Sequence, residues 1–204
     1  MVCLKEKCMN FCMDLIKQNK DFDEIKLEEI EYGLEAIYIT LEKSVVIFTV
    51  AFILGILKEL LILLLFYNFI RMPSFGLHAT KSSICLISSL LLFIGCAFLA
   101  RYLYIPFSIK YVIGIIGFIF ILKNAPADTY KRPIVNPKRR LVYKIISSMI
   151  ALIYVLLCLC IKDNIISNAL LLSLIIQNGM ISPTVYKIFN LPYDNYKTYV
   201  LETV

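Results

Sequence analysis

The chain has 204 residues, 60% of them apolar and 18% charged, and its mean hydropathy of +0.79 is well above what a soluble domain needs. The excess lies in blocks of about 15–27 residues, which excludes one large soluble core and predicts membrane-spanning helices. The net charge of +6 hides an asymmetry: residues 1–43 are acidic, with ten acidic against six basic side chains, whereas 123–144 carry seven basic residues against Asp128 alone. A basic block between membrane segments concerns orientation and partners, and it weighs against nucleic-acid binding.

The opening Met1–Lys7 is charged throughout and reads as lacking a cleavable signal peptide. From Leu4 to Ile16, apolar residues at Leu4, Cys8, Phe11, Cys12 and Leu15 form a helical stripe, suited to lying in the headgroup plane or to packing on a membrane domain. A second amphipathic helix is expected from about Phe22 to Lys43, with Leu27, Ile30, Leu34, Ile37 and Leu41 on one face and glutamates mostly on the other. The seven cysteines are odd in number and irregularly spaced, so neither a disulfide framework nor a metal cluster is expected.

Residues 44–70 are apolar apart from Lys58-Glu59 and Gly55, and admit two readings. One is a single helix of about 40 Å, longer than the ~30 Å hydrocarbon core requires. The other is two helices meeting near Lys58, the first borrowing length from the amphipathic stretch. The positive-inside rule favours two crossings or a re-entrant hairpin, because either leaves 71–81 and the basic loop 123–141 on the same, cytoplasmic side. Further crossings follow at 82–104, 105–122, 142–161 and 165–181. The expected organisation is all-α: amphipathic N-terminal helices over 1–43, a polytopic membrane domain of about six helices over 44–182, and a cytoplasmic, tyrosine-rich tail over 183–204.

The polar island 71–85 interrupts these runs and holds the sole histidine, His78, with Cys85 seven residues on. On a straight helix their α-carbons would be about 10 Å apart, too far for a direct hydrogen bond. Pro73 and Gly76 favour a loop, and Ser82 can cap a new helix with Cys85 in its first turn. There the helix dipole, aided by Arg71 and Lys81, would stabilise a thiolate. An imidazole and a thiol are the elements of nucleophilic catalysis near neutral pH. The same residues also suit a plain membrane protein in which the loop is only structural.

The run Arg71…Gly76-Leu77-His78-Ala79…Cys85 resembles the accessory gene regulator B (AgrB) family, as does 125–134, Ala-Pro-Ala-Asp-Thr-Tyr-Lys-Arg-Pro-Ile. These are membrane cysteine endopeptidases of Gram-positive quorum sensing, and the resemblance extends from about Glu31 to the fifth apolar run. Here Phe75 precedes Gly76 where the family often has a glycine pair. The resemblance implies that Cys85 is the nucleophile, His78 its base, and an AgrD-type pro-peptide the substrate, converted to a cyclic thiolactone without a cofactor. The basic residues Lys131, Arg132, Lys138, Arg139 and Arg140 would then receive the acidic tail of that peptide, while the N-terminal helices or the lipid hold its leader. Asp128, Asn124 and Gln177 are noted as possible orienting groups, and none is assigned. A non-enzymatic peptide exporter or scaffold, an acyltransferase using Cys85, and self-pairing of the bundle as a homodimer stay open.

Overall fold

The computed structural model describes residues 2–19, 23–77, 82–129 and 133–197. Among them every regular element is a helix: α1 (Val2–Asn19), α2 (Glu24–Ile53), α3 (Leu57–Ser74), α4 (Ser82–Tyr102), α5 (Phe107–Asn124), α6 (Pro137–Cys160), α7 (Asn164–Met180) and α8 (Pro183–Ile188). The chain divides into two compact units, Met1–Val50 and Ala51–Val204.

The first unit holds α1 and most of α2, with Met13 and Ile47 among its buried side chains. The expected amphipathic helix does not stop at Lys43. It runs on into the apolar stretch as one helix of 30 residues. Ser44 and Thr49 turn their hydroxyls back onto the carbonyls of Thr40 and Val45, which satisfies them within the helix itself.

The 44–70 stretch is therefore not one rod. The break comes at Leu54-Gly55-Ile56, a few residues before the Lys58 expected from sequence, and α2 borrows its length from the amphipathic segment. Gly55, at φ +66°, closes α2, with Gly55 N–H donating to Phe52 and Ile56 N–H to Ala51. This is the Schellman pattern, and it requires the left-handed backbone that glycine adopts without a Cβ penalty.

In the second unit α7 is the hub, packing against α3, α4, α5 and α6. Its sequence is apolar nearly all round, and Ser167 through Leu174, Ile176 and Gln177 are buried. A helix without a polar face belongs inside a bundle. By contrast, α5 and α6 turn Val112, Ile116, Ile119, Met149, Ile153 and Leu156 outward. Polar groups inside and apolar faces outside suit lipid rather than water. These two helices are long and apolar enough to cross a membrane.

Polar contacts tie the helix ends into two levels. At one, Arg101 donates to the Gly55 carbonyl and pairs with buried Glu59 at 3.7 Å, Asn168 Nδ2 donates to Ala100 and Leu103, and Lys110 Nζ donates to Ser167 Oγ at 2.8 Å. At the other, the ends of α3, α5 and α7 meet: Gly76 N–H donates to Ala127 O, and Leu77 N–H to Met180 O. The loops following α3 and α5 thus share one end of the unit.

The segment expected as a C-terminal tail is packed onto the second unit as far as it is described, to Lys197. Pro183–Ile188 is helical, Tyr186 and Asn195 are buried, and the chain returns to cover Asp128. Burial of the Tyr186 ring and the hydrogen-bonding capacity of Asp128 hold this polar segment against the bundle.

Candidate functional site

The turn preceding His78 is over-determined. Pro73 lies within the last turn of α3, and Phe75 leaves the helix at φ +56° and ψ −140°, a conformation close to glycine-only territory. Gly76 follows at φ +119°. A Cβ there would run into Arg71 Nη1 and lie 2.6 Å from the Met180 carbonyl oxygen, so the position has neither backbone freedom nor space for a side chain.

What holds this shape is the guanidinium of Arg71. Nη1 donates to Phe75 O at 2.6 Å, while Nη2 donates to Gly76 O at 3.1 Å and to Leu77 O at 2.7 Å. A planar cation with several fixed donors suits three successive carbonyls as no point charge would. The structure gives Arg71 a direct part in holding the backbone of the turn. The sequence carried a signal for it, since a basic residue in the last turn of a helix commonly serves exposed carbonyls.

Two other strands of the chain fasten the same turn. Gly76 N–H donates to Ala127 O at 2.8 Å and Ala127 N–H to Ser74 O at 3.0 Å, an isolated parallel bridge between Phe75 and Ala127. From α7, Gln177 Nε2 donates to Phe75 O at 2.8 Å, and Met180 O accepts from Leu77 N–H at 3.0 Å. The Phe75 ring meets Tyr143 of α6 edge-on at 5.0 Å.

His78 and Lys81 lie outside the described residues, as do Lys131 and Arg132. Cys85 is the fourth residue of α4, whose backbone begins at Ser82, so it occupies the positive end of that helix dipole. The helix starts at the expected serine rather than one residue after it, and Cys85 stays in the first turn. The register between α3 and α4 is antiparallel: Glu59 pairs with Arg101, and Tyr67 meets Phe93 at 5.1 Å. Continued at equal rise, that register sets Cys85 level with Phe75.

A second polar knot adjoins the turn. Asp128, 1% exposed, accepts backbone N–H bonds from Asn195 at 3.1 Å, Tyr196 at 2.9 Å and Ile134 at 3.4 Å. Its carbonyl accepts from the Tyr186 hydroxyl at 3.1 Å. Arg140 stacks over Tyr196 with its guanidinium carbon 3.6 Å from the ring centre, and its nitrogens lie 3.9 Å from Asp128 and 3.6 Å from Asp194. Arg140 is thereby engaged within the chain, whereas Lys138 and Arg139 are exposed just past the Asn136 cap of α6. Burial pushes the Tyr186 hydroxyl well up, and burial with the neighbouring Asp194 pushes Tyr193 up to about 12.

Of the orienting groups noted from sequence, Asp128 is committed to the C-terminal segment, and the Asn124 side chain donates to its own helix at Phe120. Gln177 alone reaches the turn through its side chain.

The family model described as Accessory gene regulator B matches residues 9–181. An AgrB-like protein of Clostridium acetobutylicum is 32% identical over 183 residues, covering 89% of this chain and 88% of its own. An AgrB-like protein of Listeria monocytogenes is 32% identical over 179 residues, 87% of each chain. The accessory gene regulator protein B of Staphylococcus epidermidis is 29% identical over 185 residues, 90% of this chain and 93% of its own. No solved structure matches.

Proposed function

We propose, from the premise that the chain belongs to the accessory gene regulator B family, that it is the membrane cysteine endopeptidase of an accessory gene regulator quorum-sensing system. Its substrate is a small AgrD-type pro-peptide. The helices α2 to α7 provide about six crossings, with both termini, the 71–85 loop and the basic 123–141 loop on the cytoplasmic side. In support, the Gly76–Ala127 hydrogen bond joins those two loops at one end of the second unit.

The observation that carries the reading is the fastening of Phe75–Leu77, immediately before His78, level with the first turn of α4 that bears Cys85. In the proposed reaction His78 takes the thiol proton, and the Cys85 thiolate attacks the scissile carbonyl. The C–N bond breaks, and the imidazolium returns its proton to the leaving amine. The acyl group is left as a thioester on Cys85. A thiolate within the substrate then attacks that thioester, Cys85 leaves, and a thiolactone ring closes. One thioester replaces another, so the step needs proximity and exclusion of water more than driving force.

The test is to co-express the chain with its pro-peptide and weigh the products and the protein. Cys85→Ser and His78→Ala should each abolish cleavage while membrane insertion persists, and a peptidyl adduct should be found on Cys85 of the wild type. Unchanged cleavage in either variant would return the chain to the exporter or scaffold class. A fatty acyl adduct in place of a peptide would make it an acyltransferase.

A further inference from the structure

We infer that Gln177, at the end of α7, is a positioning residue for the reactive loop; this rests on the reading of His78 and Cys85 given above. Its side chain is fully buried, and its amide Nε2 donates to the carbonyl of Phe75 at 2.8 Å, the acceptor that Arg71 also engages. One turn of α7 therefore grips the loop twice, by the Gln177 amide on Phe75 and by the Met180 carbonyl on the Leu77 N–H.

Two features separate this from ordinary packing. The gripped residue is the strained one, a phenylalanine at φ +56°, a geometry that persists only when its surroundings over-determine it. In addition, Gln177 Oε1 is buried with no hydrogen-bond partner among the described residues, as is Oγ of Ser74 at the end of α3. A side chain placed for volume alone would be better served there by leucine or methionine, since an orphan buried acceptor costs about 1–3 kcal/mol. The amide is tolerated for what its other end holds. Because α7 is the hub of the unit, a contact from its last turn references the loop to the whole bundle rather than to α3 alone.

Among the described residues, the groups around the turn that carry charge or titrate are Arg71 on α3, Asp128 in the α5–α6 loop, Arg140 and Tyr143 on α6, and Tyr186, Tyr193 and Asp194 beyond α7. None is altered by substituting Gln177, so a change in thiol behaviour reports position.

The experiment uses the full chain in lipid nanodiscs and follows alkylation of Cys85 by iodoacetamide, read on the Cys85 peptide by mass, from about pH 5.5 to about pH 10. His78→Ala should move the profile toward an ordinary thiol. Gln177→Met, similar in volume but without the donor, should move it the same way, with alkylation slowed about fivefold or more near pH 6.5 and unchanged at the alkaline limit. Gln177→Asn, shorter but still polar, should fall between and serves if the methionine variant does not insert. A wild-type profile in Gln177→Met beside a displaced one in His78→Ala overturns the inference and leaves the proposed function standing. A drop of equal factor at every pH with a lowered melting temperature also overturns it, since that is a packing defect. If His78→Ala itself behaves as wild type, the reading of the pair fails first, and this inference falls with it.

Discussion

The guanidinium of Arg71 and the carbonyl of Leu77 lie 2.7 Å apart, so the residue before His78 is held by a cation six positions upstream. The same cation also takes the carbonyls of Phe75 and Gly76. Substituting Arg71→Lys keeps the charge and loses the fork. A lysine cannot reach three carbonyls in one plane, and each charged hydrogen bond lost is worth about 1.5–3 kcal/mol. Pro-peptide cleavage in isolated membranes should fall by about 10- to 100-fold while the amount of inserted protein stays the same. Cleavage within about twofold of wild type would mean the loop does not depend on the fork.

Gly76→Ala should be more damaging than its single methyl group implies. The new Cβ meets the Arg71 guanidinium and the Met180 carbonyl, and the residue must also hold φ +119°. Strain and clash together should cost about 2–4 kcal/mol and displace the Arg71 side chain. The expected readout is loss of cleavage, with faster hydrogen exchange at the amides of Gly76, Leu77 and Ala127 but not within α5 or α6.

The basic segment should divide by residue. Lys138 and Arg139 are exposed, whereas Arg140 lies over Tyr196 between Asp128 and Asp194. Charge reversal at Lys138 and Arg139 should weaken pro-peptide processing and its salt dependence without lowering the melting temperature. Arg140→Glu should lower the melting temperature as well, because it sets a third carboxylate beside two others. It should also expose residues 190–197 to protease. Equal melting temperatures for the two sets would show that Arg140 contributes nothing beyond surface charge.

Alkaline stability should follow two phenols near the C-terminal segment, the buried Tyr186 and the half-buried Tyr193. Tyr186 and Tyr193 are both raised, Tyr193 to about 12, mainly by burial. The folded chain thus favours their neutral forms, and the stability they contribute is whole below the unfolded value of about 10. It declines as pH rises from there through about 12. Unfolding midpoints measured across that window should fall with pH, and Tyr193→Phe should flatten the fall, since the variant has one fewer phenol to ionise. A steeper fall in Tyr193→Phe would contradict the assignment.

Part of the backbone around the candidate site is legible in the sequence. The turn at Gly76 and a new helix from Ser82 with Cys85 near its start follow from local chemistry, whereas Pro73, expected to open the loop, stays within the last turn of α3, and Ser82, expected as a cap, is the first helical residue. The junction of α2 and α3 was misplaced by only a few residues, because Gly55 and the Lys58-Glu59 pair both looked like punctuation. Less legible was the packing of the segment 183–197. Its prolines, tyrosines and charges read as a tail, yet Tyr186, Asn195 and Tyr196 complete the surroundings of a buried aspartate.

Sequence by itself determined the all-helical character, the apolar faces of α5 and α6, the family, and the presence of one imidazole with a thiol seven residues on. Each of these depends on spacing along the chain or on composition, and both are local. Only the tertiary structure decided that Arg71 spends its donors on three carbonyls, that Gln177 reaches Phe75 from 102 residues away, and that Arg140 is occupied while Lys138 and Arg139 are exposed. Hydrogen bonds require donor and acceptor within about 3 Å. For residues far apart in sequence, that separation is set by how whole helices pack around α7 and by no property of the residues alone.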